Sequence, residues 1–475
     1  MTTEQQLPEG WKIERLGDVI DIQGGSQPPK SEFIYEPMEG YIQLLQIRDF
    51  GENGIPTFVP QNRVTKFCDK DDILIARYGA SLGRIVTGLA GAYNVALAKT
   101  IFDKNLLIKR FVYYLLQTQI FQVPLKMISR SAQNGFAKHE IAHIEIPVPP
   151  IETQQAIVNK IESLFDEIDE GIGRLKTAAQ QIQQYRQSLL KNAFNGELTK
   201  EWRSKHADTL PSENELLAQI QTTREQHHAQ QLADWQTAVS QWEQNGKEGK
   251  KPSKPKAPTQ AVKFEENFAD LPSGWGVVRL DKIVKYITDG DHQAPPKSSN
   301  GIPFITISNI DKKDFSINFF DTFFVNEDYY NQISELRKPK KGDILYTVTG
   351  SFGIPVMVDF DKKFCFQRHI GLISPLEQIS AQRWLFYILQ SPQVFKQAEQ
   401  LSTGTAQKTV ALSSLRNFEI PYCSLAEQTQ IVAILESKLT ACDQLAAELA
   451  KQLKQAELLK QAVLKAAFSG NLLDK

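Results

Sequence analysis

Cysteine is scarce, with four in 475 residues at positions 68, 365, 423 and 442 and no C-x-x-C pair among them. That spacing excludes a disulfide framework and a thiolate zinc site, and leaves reduced thiols in a cytoplasmic protein as the expectation. Long apolar runs are missing too. No stretch approaches the ~20 residues that a membrane helix requires, and the start MTTEQQ lacks the basic-then-apolar pattern of a secretory leader. No membrane association is expected. An excess of one charge is also absent, since 54 Lys and Arg stand against 55 Asp and Glu. A chain so balanced is no general polyanion binder, so any affinity for nucleic acid must come from locally placed groups.

What the sequence does contain is itself, twice. LPEGWKIERL at 7–16 returns as LPSGWGVVRL at 271–280, with six of ten letters shared and the tryptophans 264 positions apart. SQPPK at 26–30 returns as HQAPPK at 292–297, DILIARYGASLG from Asp72 as DILYTVTGSFG from Asp343, and YYLLQ from Tyr113 as FYILQ from Phe386. The later part aligns without gaps at an offset of 274. There IEIPVPPIETQQAIVNKIESLFDEID faces FEIPYCSLAEQTQIVAILESKLTACD, and LLKNAFNGEL faces VLKAAFSGNL. The chain is therefore two copies of one unit of roughly 190 to 200 residues. Each head has diverged while each tail has stayed in register.

Each head reads as mixed α/β structure. Short β-branched and aromatic runs such as YIQLLQI, IPFITIS and DILYTVT are punctuated by Gly and Pro, with a helical stretch late on. Each tail reads as one long helix. Ile161, Ile168, Leu175, Ile182 and Leu189 recur every seven residues, as do Leu435, Cys442, Leu449, Ala456 and Val463 in the second copy. Five heptads with Glu, Gln and Lys between them predict a coiled-coil seam, and about 40 helical residues extend roughly 60 Å. Pro149 and Pro150 mark the first helix's start, while Gly196 and Gly470 mark the two ends. Gly171 and Gly173 allow a kink in the first helix. The expected domains are a head at 1–150, a central helical region with a Lys/Pro-rich linker at 151–264, a second head at 265–422, and a final coiled-coil helix at 423–475. Within the central region, 212–244 predicts a further helix, and GKEGKKPSKPKAPTQAVK predicts a flexible solvated linker.

Reactive chemistry is sought and mostly not found. No G-x-x-x-x-G-K-[ST] phosphate loop, Gly-rich dinucleotide turn or nuclease carboxylate cluster occurs. HEIAH at 139–143 matches the zinc-protease pattern, with Glu162 at the distance of a third ligand. It runs directly into IEIPVPP, and the second copy has Ser413, Ser414 and Asn417 at the aligned positions. A surface junction between loop and strand is the reading that fits, with no metal site. Binding is better supported. The heads carry 16 Lys and Arg against 14 Asp and Glu over 10–150, and 17 against 15 over 274–422. Two loops in each head have the composition for placed contacts. One pair supplies Arg77, Tyr78 and Ser81 against Thr349 and Ser351; the other supplies Gln133, Asn134 and Lys138 against Gln407, Lys408 and Thr409. Gln and Asn can pair with adenine, and Arg or Lys with guanine or phosphate. These eleven are the candidate DNA-binding residues, and the bland alternative for each is a polar turn. The tryptophans of the twin openings are expected to pack each head's first segment, because two readers of different targets have no reason to repeat a reading residue.

The order of these motifs resembles the specificity subunit of type I restriction–modification enzymes, over essentially the whole chain. The paired LPxGW–RL openings carry the likeness, with the DDIL/GDIL strand-loops, IPVPPIETQQAIV with its copy IPYCSLAEQTQIV, and the endings AFNGELTKEWR and AFSGNLL. The resemblance implies an α+β fold of two tandem target recognition domains, separated by two long helices in an antiparallel coiled coil. It implies a non-catalytic subunit whose heads each read half of a bipartite site in double-stranded DNA. Two methyltransferase subunits would dock on it, with restriction translocase–nuclease subunits joining them. It implies no cofactor in this chain, and S-adenosylmethionine, ATP and magnesium on those partners. The competing reading is a coiled-coil scaffold that joins two protein-binding heads without DNA.

Overall fold

The structure is a computed structural model that describes residues 7–51, 54–131, 135–249, 251–258, 271–292, 295–405 and 407–473. It divides into two compact units, one made of Met1–Ala178 with Glu448–Lys475 and the other of Ala179–Ala447. These bounds differ from the four ranges read from the sequence. A helix of 44 residues cannot bury its stripe against its own head alone, so each unit takes the start of one long helix and the end of the other.

In the first unit the opening strand Lys12–Arg15 pairs antiparallel with Glu145–Val148, from Lys12 opposite Val148 to Arg15 opposite Glu145. This explains the first opening motif: it closes the head by pairing with the strand that leads into the long helix. Between them lie two four-stranded sheets. One is ordered Ile20–Gly24, Leu97–Phe102, Leu74–Ala76, Ile85–Val86, with all pairs antiparallel. The other centres on Tyr41–Leu45, which runs parallel to Gly91–Tyr93. Helices Lys109–Leu115 and Gln119–Ser131 cover the first sheet. The long helix Ile151–Phe194 begins just after Pro149 and Pro150 and is continuous through Gly171 and Gly173. Its early residues Ile157, Val158 and Ile161 share a core with Val463, Leu464, Ala467 and Phe468 from the end of the second long helix, Leu425–Phe468. Early residues meet late ones, so the helices pack antiparallel here, with Lys460 bonded to Asp169 at 2.5 Å.

A buried glutamine fixes this head to its helix. The Gln154 amide donates to the Leu106 and Pro149 carbonyls at 2.9 Å each and accepts from the Ile108 N–H at 2.9 Å. Two turns further along the helix, Arg110 bonds Glu162 at 2.7 Å. At the helix end Gly470 sits at φ +82°, against Pro8 of the opening motif, where a Cβ would come within 2.3 Å of the proline ring. Glycine is required there on both counts.

The second unit repeats this plan. Gly276–Arg279 pairs with Glu419–Tyr422, and the first sheet is ordered Val284–Asp289, Ile370–Pro375, Ile344–Thr347, Pro355–Met357. Ile302–Ile305 runs parallel to Cys365–Phe366 as its counterpart does. Gln428 donates to the Ile379 and Cys423 carbonyls and accepts from the Ala381 N–H, and Arg383 bonds Glu436 at 2.8 Å. Gly196 meets Pro272 as Gly470 meets Pro8. Leu189, Ala193 and Phe194 pack with Ile431 and Leu435, late residues again meeting early ones, and Arg186 pairs with Asp443. Of the heptad positions, Ile161, Leu189, Leu435, Cys442 and Val463 are buried. Ile168, Leu175, Ile182, Leu449 and Ala456 are half-buried.

Among the described residues, one joint is present in the second unit alone. Trp275, the tryptophan of the second opening, is buried and donates its indole N–H to Glu427 at 3.0 Å. The same carboxylate, 2% exposed, accepts from the Thr199 hydroxyl at 2.7 Å and the Arg203 guanidinium at 2.6 Å. Trp11 packs against the first unit's core but remains half-buried, beside a cavity of about 200 Å³ that Thr153 also lines.

The further helix forms as Glu213–Gln244, with Ser212 and Glu215 in a reciprocal capping box. The Lys/Pro-rich stretch differs from a solvated linker over 251–258, because it lies back along that helix. Trp242 donates its indole N–H to the Gly249 carbonyl at 3.2 Å and Trp235 to the Pro252 carbonyl at 3.0 Å. Lys251 and Lys254 lie 5.8 Å over the same two rings. The spacing explains the fit. Seven helical residues rise about 10.5 Å, a distance that three residues of extended chain nearly span, and Lys251 and Lys254 accordingly meet one ring each.

Candidate nucleic-acid interface

The loops chosen from sequence fall at one end of the first sheet in each head. In the second head Asp289 lies opposite Gly371, and Thr347 opposite Ile370. The segments that leave or enter those residues therefore share an end: 290–292, 348–353 and 367–369. The ribbon of Ser402–Thr403 and Thr409–Val410 joins them. Thr349 bridges to Thr409, the Gly350 N–H donates to the Lys408 carbonyl at 2.9 Å, and the Val410 N–H donates to the Val348 carbonyl at 2.8 Å. Both predicted loops of this head are thus one surface. Within it Ser351, Gln407 and Lys408 are exposed. Thr349 is buried and the Thr409 hydroxyl donates to the Thr349 hydroxyl oxygen at 3.4 Å, so this pair holds the loops together. Lys408 has no ion-pair partner among the described residues.

The first head builds the same end from different side chains. Gly24 lies opposite Ala98, and Ala76 opposite Leu97. Arg77 is half-buried, donates to the Phe136 carbonyl at 3.3 Å and lies 5.1 Å over the ring of Tyr78, which is 42% exposed. Ser81 is half-buried in the turn. The segment starting at Gly135 therefore packs on the 77–83 loop, as the ribbon does in the other head. Lys138 is bound to Asp21 at 2.5 Å, and this hydrogen bond holds the Asp21 carboxyl below its usual range. Gln133 and Asn134 lie outside the described residues.

A third segment at each sheet end carried no chemical signal in the sequence. A Cβ at Gly25 would come within 2.1 Å of the Asn94 carbonyl oxygen, and one at Gly290 within 2.1 Å of the Phe366 carbonyl oxygen. Glycine lets the backbone at Gly25–Ser26 and at Gly290–Asp291 press against the turns 94–96 and 367–369. Those turns carry Val95 and Arg368, both exposed. The spelling was invisible because backbone, not side chains, is what the two turns share.

HEIAH takes the shape of a single helical turn, Lys138–Ile141, followed by the strand Glu145–Val148. Its Glu140 accepts from the Ala137 N–H at 2.5 Å as a cap. Glu162 is engaged by Arg110.

The family described as type I restriction modification DNA specificity domain matches residues 8–176 and again 272–455. The chain is 22% identical to the MjaVIII specificity subunit of Methanocaldococcus jannaschii, over 98% of this chain and 94% of that one. It is 22% identical to the EcoBI specificity subunit of Escherichia coli, over 98% and 87%. Its fold matches a chain solved for complex assembly and conformational transition of the type I R-M system, with TM-score 0.65, 18% identity, and coverage of 98% and 99%. It also matches the HsdS subunit from Thermoanaerobacter tengcongensis, with TM-score 0.52, 19% identity, and 98% of both chains covered. With the domain present twice on duplicated scaffolds, the chain belongs to the family of type I restriction–modification DNA specificity subunits.

Proposed function

We propose that each head reads one half of a two-part sequence in double-stranded DNA, through the loop surface at the end of its first sheet. One observation carries this reading: the two heads share their scaffold hydrogen bonds but display different side chains on it. Shared backbone with divergent tips is what two readers of different half-sites require, because phosphate contacts position and side chains on base edges specify. The heptad helices are the docking surface for two methyltransferase subunits, and restriction translocase–nuclease subunits join that assembly in the cytoplasm. Chemistry then belongs to the partners, which would hold S-adenosylmethionine, ATP and magnesium, while this chain positions them without catalysing.

The test is to co-express the chain with its cognate methyltransferase subunit and map modified bases across the genome. A two-part motif with a fixed gap is expected, and replacing residues 270–420 should change one half only. An assembled, soluble complex that methylates nothing sequence-specifically would sink the proposal.

A further inference from the structure

The turns 94–96 and 367–369 are the same object in the two heads. In the first, the Ser26 N–H donates to the Tyr93 carbonyl at 3.1 Å, Asn94 to Leu45 at 3.0 Å, Leu97 to Asn94 at 3.0 Å and Arg77 to Ala96 at 2.8 Å. In the second, Asp291 donates to Phe366 at 3.2 Å, Gln367 to Ile305 at 3.0 Å, Ile370 to Gln367 at 3.1 Å and Val348 to His369 at 2.9 Å. Bond for bond, Val95 stands where Arg368 stands. The side chain at the tip bears none of these bonds, so the scaffold tolerates either residue.

The tips differ in the chemistry they offer. Val95 is 45% exposed, a branched hydrocarbon held in solvent beside the Arg77 and Tyr78 loop. Arg368 is exposed beside the Thr349–Ser351 loop, and no hydrogen bond or ion pair holds its side chain among the described residues. Arginine could serve a phosphate as well as a base, but valine could not. A shared position that holds hydrocarbon in one reader and guanidinium in the other fits base edges, where an apolar group meets the thymine methyl and arginine meets guanine O6 and N7.

We propose that this turn tip is a specificity-determining position in both heads, with Arg368 reading a guanine in one half-site and Val95 packing on a thymine methyl in the other. The inference rests on the one-head, one-half-site reading above.

The experiment uses the full chain assembled with its cognate methyltransferase, and compares modified motifs and affinities for duplexes that vary one base at a time. Arg368→Gln should abolish the guanine requirement at one position of the second head's half-site, with loss of about tenfold or more in discrimination there. The other half of the motif and the melting temperature should not move. Val95→Arg should introduce a guanine requirement at one position of the other half. An unchanged motif in Arg368→Gln overturns the proposal, as does uniformly weaker binding to every sequence, which marks a phosphate contact. Exchange of residues 270–420 runs alongside. If that exchange alters both halves or neither, the half-site reading itself has failed; if it alters one half and Arg368→Gln alters nothing, only the assignment of the tip is wrong.

Discussion

The joint that fixes head to helix and the surface at the far end of the head have opposite histories in the two copies. At the joint, Gln154 and Gln428 make the same three hydrogen bonds, and Arg110 with Glu162 is copied as Arg383 with Glu436. At the surface, half-buried Arg77 and Lys138 bound to Asp21 contrast with exposed Gln407 and with Lys408, which has no ion-pair partner among the described residues. The difference teaches where freedom lies. A buried amide with three fixed partners tolerates no other residue without leaving polar groups unsatisfied, whereas an exposed loop on a sheet end can change its side chains at little cost.

The largest effect that separates the units belongs to Glu427. Removing its carboxylate in Glu427→Ala strands Arg203 and the Trp275 indole in a buried site, and should cost about 3 kcal/mol in denaturant unfolding. Thr153→Ala, at the aligned position of the first unit, should cost less than 1 kcal/mol, since nothing comparable depends on it. Equal losses would erase the asymmetry described here. The glutamine joint makes the opposite prediction. Gln154→Ala and Gln428→Ala should each cost about 2 kcal/mol, and a difference greater than about 1 kcal/mol between them would show that the copied joint is not equivalent.

Loop chemistry comes next. Lys408→Ala should weaken binding of DNA carrying the recognised motif by about tenfold, with helices and partner assembly intact. Lys138→Ala should weaken it less, because that ammonium is already committed to Asp21. Titration of each variant against duplex at fixed salt decides the order. The smallest effect concerns the arm formed by the helix Glu213–Gln244 and the Lys/Pro-rich stretch. Trp242→Ala removes one rung between the helix and its Lys/Pro strand, worth about 1 kcal/mol locally. It should speed tryptic cleavage after Lys256 while leaving the global unfolding midpoint unchanged.

Much of this was legible from residues. The repeat, the mixed heads, the long helices and the family follow from patterns that recur at fixed offsets, and a pattern seen twice is its own control; the additional helix was legible from its own composition over 212–244. The seam could be read because burial on a helix repeats every seven residues. The role of the Gln154 and Gln428 side chains was not legible, although the two glutamines align where ETQQ faces AEQT. A single glutamine reports nothing about which carbonyls surround it until the head folds. Nor could the Lys/Pro stretch be read as packed, since its two contacts come from tryptophans that precede it by 7 and 17 positions.

The sequence by itself determined two copies of one plan, their order and their kind, because periodicity and repetition are local properties of the chain. Only the tertiary structure decided that each compact unit takes the end of the other copy's helix, since a long amphipathic helix must find a second stripe to bury its own. It also brought three loops distant in sequence to one sheet end in each head. Strand register makes that choice, and register is fixed by pairings 74 to 91 residues apart.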